Sequence, residues 1–389
     1  MIPRSTTLRP NHICTNCLRR SQSRLYSSQL DNAPAEPPRS GAAKLTSRRL
    51  ISLQGQDAGK FLQGLVSGNI KPDSRSGLFT AFLNAQGRVL GDAFIYPTLG
   101  SDWHKSVSLG NEQGYLVDVD SEQAKGIFGH LKKHKLRSKF KLRLLEEGEL
   151  DTWSVWREDE RWTAHTKAED QGGIISLTDS RAPGMGRRIL LPSLSPANTS
   201  KYYEDILEAP LSAYTVRRYL RGVPEGQAEI PTDESLPMNC NIDIMGGIDF
   251  KKGCYVGQEL TIRTHHTGVV RRRILPVALY PHNVDPPDVL NYDSSTSIAP
   301  VESGIDVRRD DFRKRSTGKL VASVGNVGLA MCRLEQMSDL KVSGEGSSFS
   351  PDDRFILESK GSDLVGVKAF VPDWMRGQIR EPKIQKRVE

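Results

Sequence analysis

Residues 251–259 read KKGCYVGQE, with one cysteine between two glycines and two lysines ahead of it. A thiol does metal, redox or nucleophilic chemistry as the thiolate, and neighbouring cations favour that form. Lys251, Lys252 and Arg263 are the cations near Cys254 in sequence. Gly253 and Gly257 admit backbone conformations that other residues resist, and they let another group approach closely. Two readings stay open on spacing alone. Cys254 is either an exposed reactive or ligating thiol, or a cysteine in a glycine-bounded turn ahead of a strand at ELTIRT.

A complete metal site is not expected around it. Cys240, Cys254, His265 and His266 are separated by 13, 10 and 0 residues, which is not the paired spacing of structural zinc sites. Adjacent histidines on a strand point to opposite faces. One cysteine can still supply a single ligand to a cluster shared with another protein. The pair Cys14 and Cys17 (CTNC) has metal or redox spacing, but it lies in a segment expected to be removed. Asp92 is the other candidate, a carboxylate among apolar strand residues (VLGDAFIY). Partly buried, it would position a cation or an amine-bearing ligand; the plainer alternative is an aspartate at a strand edge. No P-loop, nucleophile elbow or H-E-x-x-H is present.

Composition narrows the class. The chain has 389 residues, 37% hydrophobic and 26% charged, which predicts two or three domains. No apolar run reaches the roughly 18–20 residues of a membrane span. Of the net charge of +7, five units come from arginines in residues 1–30, which hold no acid. The remaining +2 gives no argument for binding nucleic acid. The Arg- and Ser-rich, acid-free start reads as a mitochondrial transit peptide, with cleavage expected near Tyr26 and a Pro/Ala-rich linker over 31–43.

The elements that must position these residues follow from periodicity. RRLISLQG reads as a strand, Asp57 as a cap for a helix through AGKFLQGLVSG, and 78–97 as a hairpin turning at Asn84–Gly87. GYLVDVD at 114–120 is a strand, and 121–140 an amphipathic helix whose terminal lysines complement its dipole and face solvent. Residues 151–190 read as meander strands and 202–224 as a helix broken at Pro210. Short β-branched strands follow Ile274 and form a barrel-like end. They are interrupted by 281–316 and 338–353, whose Pro, Ser, Gly and Asp content predicts disordered insertions.

Together these segments resemble a known family. KGCYVGQE is similar to the signature of the YgfZ-type folate-binding proteins, relatives of the glycine-cleavage aminomethyltransferase. The likeness runs from about Leu45 to Arg376, through FLQGLVSGNI, AFLNAQGRVLGDAFIY, RRYLRGVPEGQAEIP, the octet, VGNVGLAMCRLE and KAFVPDW in order. The insertion-rich C-terminal half is similar to fungal versions. The resemblance implies an α+β fold, an aminomethyltransferase-like three-domain ring with a small C-terminal β-barrel. Residues 1–40 would be transit peptide and linker, 45–265 the folate-binding-type region, and 266–389 the barrel.

The resemblance further implies a mitochondrial matrix factor for maturing 4Fe–4S proteins of the aconitase and lipoate-synthase types. Its partners would be A-type cluster carriers and client apoproteins. Cys254 would then be the functional thiol, ligating a transient iron–sulphur cluster shared with a partner. The loop candidates are Lys252, Gly253, Tyr255, Gly257, Gln258, Glu259 and Arg263. The alternative is a tetrahydrofolate-dependent one-carbon transferase. Asp92 falls where the methyltransferases place their catalytic aspartate, while the place of the pterin-contacting glutamate is occupied by Leu220. A third reading is a non-catalytic scaffold in which Cys254 is structural.

Overall fold

The computed structural model describes residues 33–379 apart from 72–73, 108–111, 159–172, 194–205, 312–314, 344–346, 360 and 362. The expected presequence, Cys14, Cys17 and the RWTAH stretch lie outside the described residues.

The chain enters the fold earlier than its composition predicts. Strand β1 (Ser40–Lys44) pairs antiparallel with β7 (Leu150–Arg157), at the edge of a sheet ordered β1-β7-β9-β8 with β8 (Ile175–Thr178) and β9 (Arg187–Pro192). The small residues that look like linker have a packing reason. A Cβ on Gly41 would stand 2.6 Å from the Trp156 ring. The indole also donates to the carbonyl of Pro38 at 2.9 Å.

A five-stranded sheet, ordered β3-β4-β5-β2-β6, carries Asp92. Its strands are β2 (Arg48–Gln54), β3 (Leu78–Leu83), β4 (Val89–Pro97), β5 (Gly114–Asp120) and β6 (Lys141–Leu144). The β3–β4 hairpin turns where expected, Gly87 N–H donating to Asn84 O at 2.9 Å. Short helices α1 (Ala58–Gln63) and α2 (Asp102–Val107) precede α3 (Ala124–Lys135). One sheet face, with Ile51, Phe82, Ile95 and Val117, packs on Leu62 of α1 and on Ile127 and Leu131 of α3. The other face, with Leu50, Phe79, Phe94 and Leu116, packs on Ala213, Tyr214 and Val216 of α4 (Leu211–Arg221) and on Leu190 of β9. Burial on both faces makes the strands read as near-continuous apolar runs. Pro210 sits at the helix start, where its missing N–H costs nothing.

After α5 (Gln258–Thr267) the chain forms a closed six-stranded barrel. Its order is β10-β13-β12-β11-β14-β15, from β10 (Arg272–Pro281), β11 (Asp306–Arg309), β12 (Ser316–Val324), β13 (Val327–Arg333), β14 (Phe355–Glu358) and β15 (Leu364–Ala369). Short helices α6 (Leu334–Met337) and α7 (Asp373–Arg376) close it. The expectation of a disordered insertion over 281–316 is corrected. That stretch supplies β11, with Val307 fully buried, and Tyr292, 3% exposed, whose hydroxyl donates to the Pro34 carbonyl. Two anchors in a polar segment are invisible to composition. Within 338–353, Glu335 likewise receives the N–H groups of Val342 and Ser343 at 3.0 and 2.7 Å.

Candidate functional site

The 251–259 loop is held from both sides while its cysteine stays outside. Asp249 donates its N–H to Ser67 O at 2.9 Å and accepts the Lys251 N–H at 2.7 Å. Lys252 turns inward. Its ammonium donates to the carbonyls of Gln63, Val66 and Gly68 at 2.7, 2.7 and 2.6 Å. The Gln63 carbonyl is one of those left open where α1 ends, a place where a lysine also suits the helix dipole, and Val66 and Gly68 lie in the turn that follows. Burial pulls the Lys252 pKa down to about 8 against the opposing pull of Asp249. The ammonium is therefore a clamp on the backbone, not a free charge beside the thiol.

The next residues complete the seat. The Val256 N–H donates to Gly64 O at 3.1 Å. Tyr255 is 5% exposed and donates its N–H to Gln258 Oε1 at 3.2 Å. Its hydroxyl is buried without a hydrogen-bond partner, and burial, followed by Glu259, pushes its pKa up to about 12. Gly257 adopts φ +79, and a Cβ there would meet Asn84 O at 2.2 Å. Only glycine fits that backbone and that contact. Gly253 is different, with open space where a Cβ would stand. Cys254 is exposed between them. The buried thiols of Cys240 and Cys332 are pushed up to about 12 by burial, which keeps them protonated and inert.

The expected strand at ELTIRT is corrected to a helix. Gly257 reverses the chain into α5, where Thr264 Oγ1 donates to Leu260 O at 2.8 Å and Thr267 Oγ1 to Arg263 O at 3.0 Å, while Thr261 Oγ1 is buried without a hydrogen-bond partner. β-Branched composition misled because the Thr264 hydroxyl, and that of Thr267 just beyond the motif, find partners one turn back. Glu259 and Arg263 are exposed on this helix. His265 stacks on Phe250 at 3.5 Å between centroids and meets His266 edge-on at 5.1 Å. Among the described residues no three His, Cys, Asp or Glu side chains are grouped to hold a metal ion.

Asp92 is not part of this loop, nor at a strand edge. It is 1% exposed, accepting from Arg48 Nη1 at 2.9 Å and from the Gly226 N–H at 2.9 Å. Arg48 also donates to Asp118 Oδ1 at 2.6 Å. Arg188 joins Asp118 at 3.3 Å to Glu225 at 2.8 Å, and Arg181 joins Glu225 to Asp179, each at 2.7 Å. Tyr214 donates its hydroxyl to Glu225 at 2.8 Å. Arg218 grips Glu229 through two nitrogens at 2.7 and 2.9 Å, and the Tyr219 hydroxyl adds a third bond. Burial opposes the Glu225 charge, but Arg188, Arg181 and Arg48 outweigh it and hold its carboxyl well below the usual range. Sequence reasoning missed this network because Arg48 and Asp118 are 70 residues apart and Asp92 and Gly226 are 134 apart. Its signal was the charged residue inside an apolar strand, as in YLVDVD and RRILLP.

A cavity of about 650 Å³ opens nearby, lined by Arg88, Glu229, Asn239, Arg272 and Lys319 among others. The residues carried over as pterin contacts do not fit a pterin. Asp92 is consumed by Arg48 and Gly226, and Leu220 packs on the core with no polar atom to offer.

Residues 271–377 match the family described as the CAF17 C-terminal beta-barrel domain. The glycine cleavage system aminomethyltransferase T from Bartonella henselae superposes with a TM-score of 0.58 over 88% of each chain at 13% identity, which shows a shared fold. Three relatives are named mitochondrial iron-sulfur cluster assembly factor IBA57 homologs. That of Neosartorya fischeri is 44% identical over 94% of this chain and 90% of its own. That of Pyricularia oryzae is 44% identical over 94% and 92%. That of Neurospora crassa is 40% identical over 93% and 87%. With identity at this level along almost its whole length, the chain belongs to the IBA57 family of mitochondrial iron–sulfur cluster assembly factors.

Proposed function

We propose that the protein acts in the mitochondrial matrix in maturing 4Fe–4S proteins, and that Cys254 gives one thiolate to a cluster held jointly with an A-type carrier. The carrying observation is an exposed thiol on a clamped loop, with no group of three His, Cys, Asp or Glu side chains placed to hold a metal ion among the described residues. Such a thiol cannot enclose a cluster alone. It can complete one offered by a partner, and a rigid loop fixes where the sulphur meets the iron. Clients of the aconitase and lipoate-synthase types are the expected recipients.

The test is Cys254→Ala in mitochondria, read by aconitase activity and protein lipoylation. Both fall while the protein stays at its normal level. In vitro, a mixture with an A-type carrier shows iron–sulphur absorbance that the variant lacks. Unchanged spectra and unchanged client activity would place every ligand on the carrier. The folate-dependent transferase reading is weakened by the consumed carboxylate of Asp92 and the apolar Leu220. Tetrahydrofolate titration with wild type and Asp92→Ala checks it directly.

A further inference from the structure

Residues 124–145 hold eight lysines and arginines and no aspartate or glutamate. Helix α3 buries Ala124, Ile127 and Leu131 against the five-stranded sheet. Lys132 and Lys133 in its last turn, and Arg137, Lys139 and Lys141 beyond its end, are exposed. Arg143, by contrast, pairs with Glu149, and Lys135 lies over the Phe140 ring at 5.0 Å. A solvated helix face explains scattered charges but not what sits at their centre.

That centre is Leu136, 88% exposed, with φ 41° and ψ −110°. The Ser138 N–H closes the turn onto Lys135 O at 2.9 Å. Leu136 therefore holds the second position of a type II′-like turn, a place suited to glycine. A leucine there is strained, and its exposed side chain gains no packing in return. Helix α4 ends in the unstrained way, on Gly222 at φ 70°.

We propose that this corner, residues 132–141, docks on an anionic bilayer surface. Its cations would lie among lipid headgroups while Leu136 enters the interface. Nucleic acid is the less fitting occupant, since single-strand binding uses exposed aromatic faces. Phe128 and Phe140 are instead turned into the core packing. The placement also suits the thiol loop. Lys139 donates its N–H to Asp57 Oδ2 at 2.6 Å at one end of α1, whereas Lys252 binds carbonyls at the other. A protein seated through this corner keeps Cys254 at the far end of that helix, open to a partner.

Flotation of the full chain with vesicles tests this. Binding is expected to phosphatidylcholine mixed with phosphatidylglycerol, not to phosphatidylcholine alone, and is lost in high salt. The triple variant Lys132→Gln, Lys133→Gln, Arg137→Gln binds about a hundredfold more weakly, about fivefold per charge. Leu136→Gly relieves the turn, so it melts no lower than wild type yet binds several-fold more weakly. It keeps the test decisive should the triple variant fold poorly. Equal flotation with both vesicle types, undiminished binding by either folded variant, or capture of polyuridine with no vesicle binding would each overturn the proposal.

Discussion

Replacing Asp92 with alanine removes a carboxylate that is 1% exposed and accepts two hydrogen bonds, each 2.9 Å long, from Arg48 and from the Gly226 backbone. The Arg48 guanidinium keeps Asp118 at 2.6 Å but loses its second counter-charge. The Gly226 N–H is left buried without a partner. A charge-assisted bond contributes about 1.5–3 kcal/mol and an orphaned buried donor costs about 1–3 kcal/mol. Breaking a buried pair from one side costs roughly 3–5 kcal/mol when taken as a whole, and the two routes agree. Urea unfolding followed by tryptophan fluorescence should therefore show a loss of about 3–5 kcal/mol. The double variant Arg48→Met, Asp92→Leu should recover part of it, because no unpaired charge is left behind. Tetrahydrofolate affinity of the folded fraction should equal that of wild type. A variant that unfolds at wild-type urea concentrations yet has lost tetrahydrofolate binding would refute the reasoning, since Asp92 would then face a ligand.

Three further outcomes follow from the site and the sheet. Lys252→Met strips three carbonyls of their donor, so amide exchange should quicken over 252–257 and client maturation should fall toward the Cys254→Ala level. Lys252→Arg should not restore it, because a planar fork cannot meet three convergent carbonyls, and full activity in either variant would argue against the clamp. Gly257→Ala combines φ +79 with a contact of 2.2 Å to Asn84 O, and should destabilise by at least about 1–2 kcal/mol; an unchanged melting temperature would contradict the backbone argument. Burial, with His134 and Lys133 adding, pulls His130 down to about 4, below its unfolded value near roughly 6.5. The unfolded chain then binds the extra proton, so stability should fall as pH drops from about 6.5 through about 4, and His130→Phe should flatten that slope.

Local order was legible in the sequence where neighbours decide it. The hairpin at 78–97, the strand at 114–120 and the amphipathic core of α3 follow from residue spacing over a few positions, and the order of motifs around KGCYVGQE pointed to the family. Chain closure decided the rest. Whether Cys254 is exposed depends on Lys252 reaching carbonyls at 63, 66 and 68, between 184 and 189 residues away. Whether ELTIRT is strand or helix depends on Gly257 packing against Asn84 of the distant hairpin. Asp92 looked like a ligand-facing carboxylate until Arg48 and Gly226 closed on it, and 281–316 looked unstructured until Val307 entered the barrel and Tyr292 met Pro34. A sequence states periodicity and residue chemistry by itself, because both act over a turn or a strand. Which buried charge is paired and which thiol is left outside is decided only when segments far apart in the chain meet, because desolvation and hydrogen bonding depend on the partner that arrives.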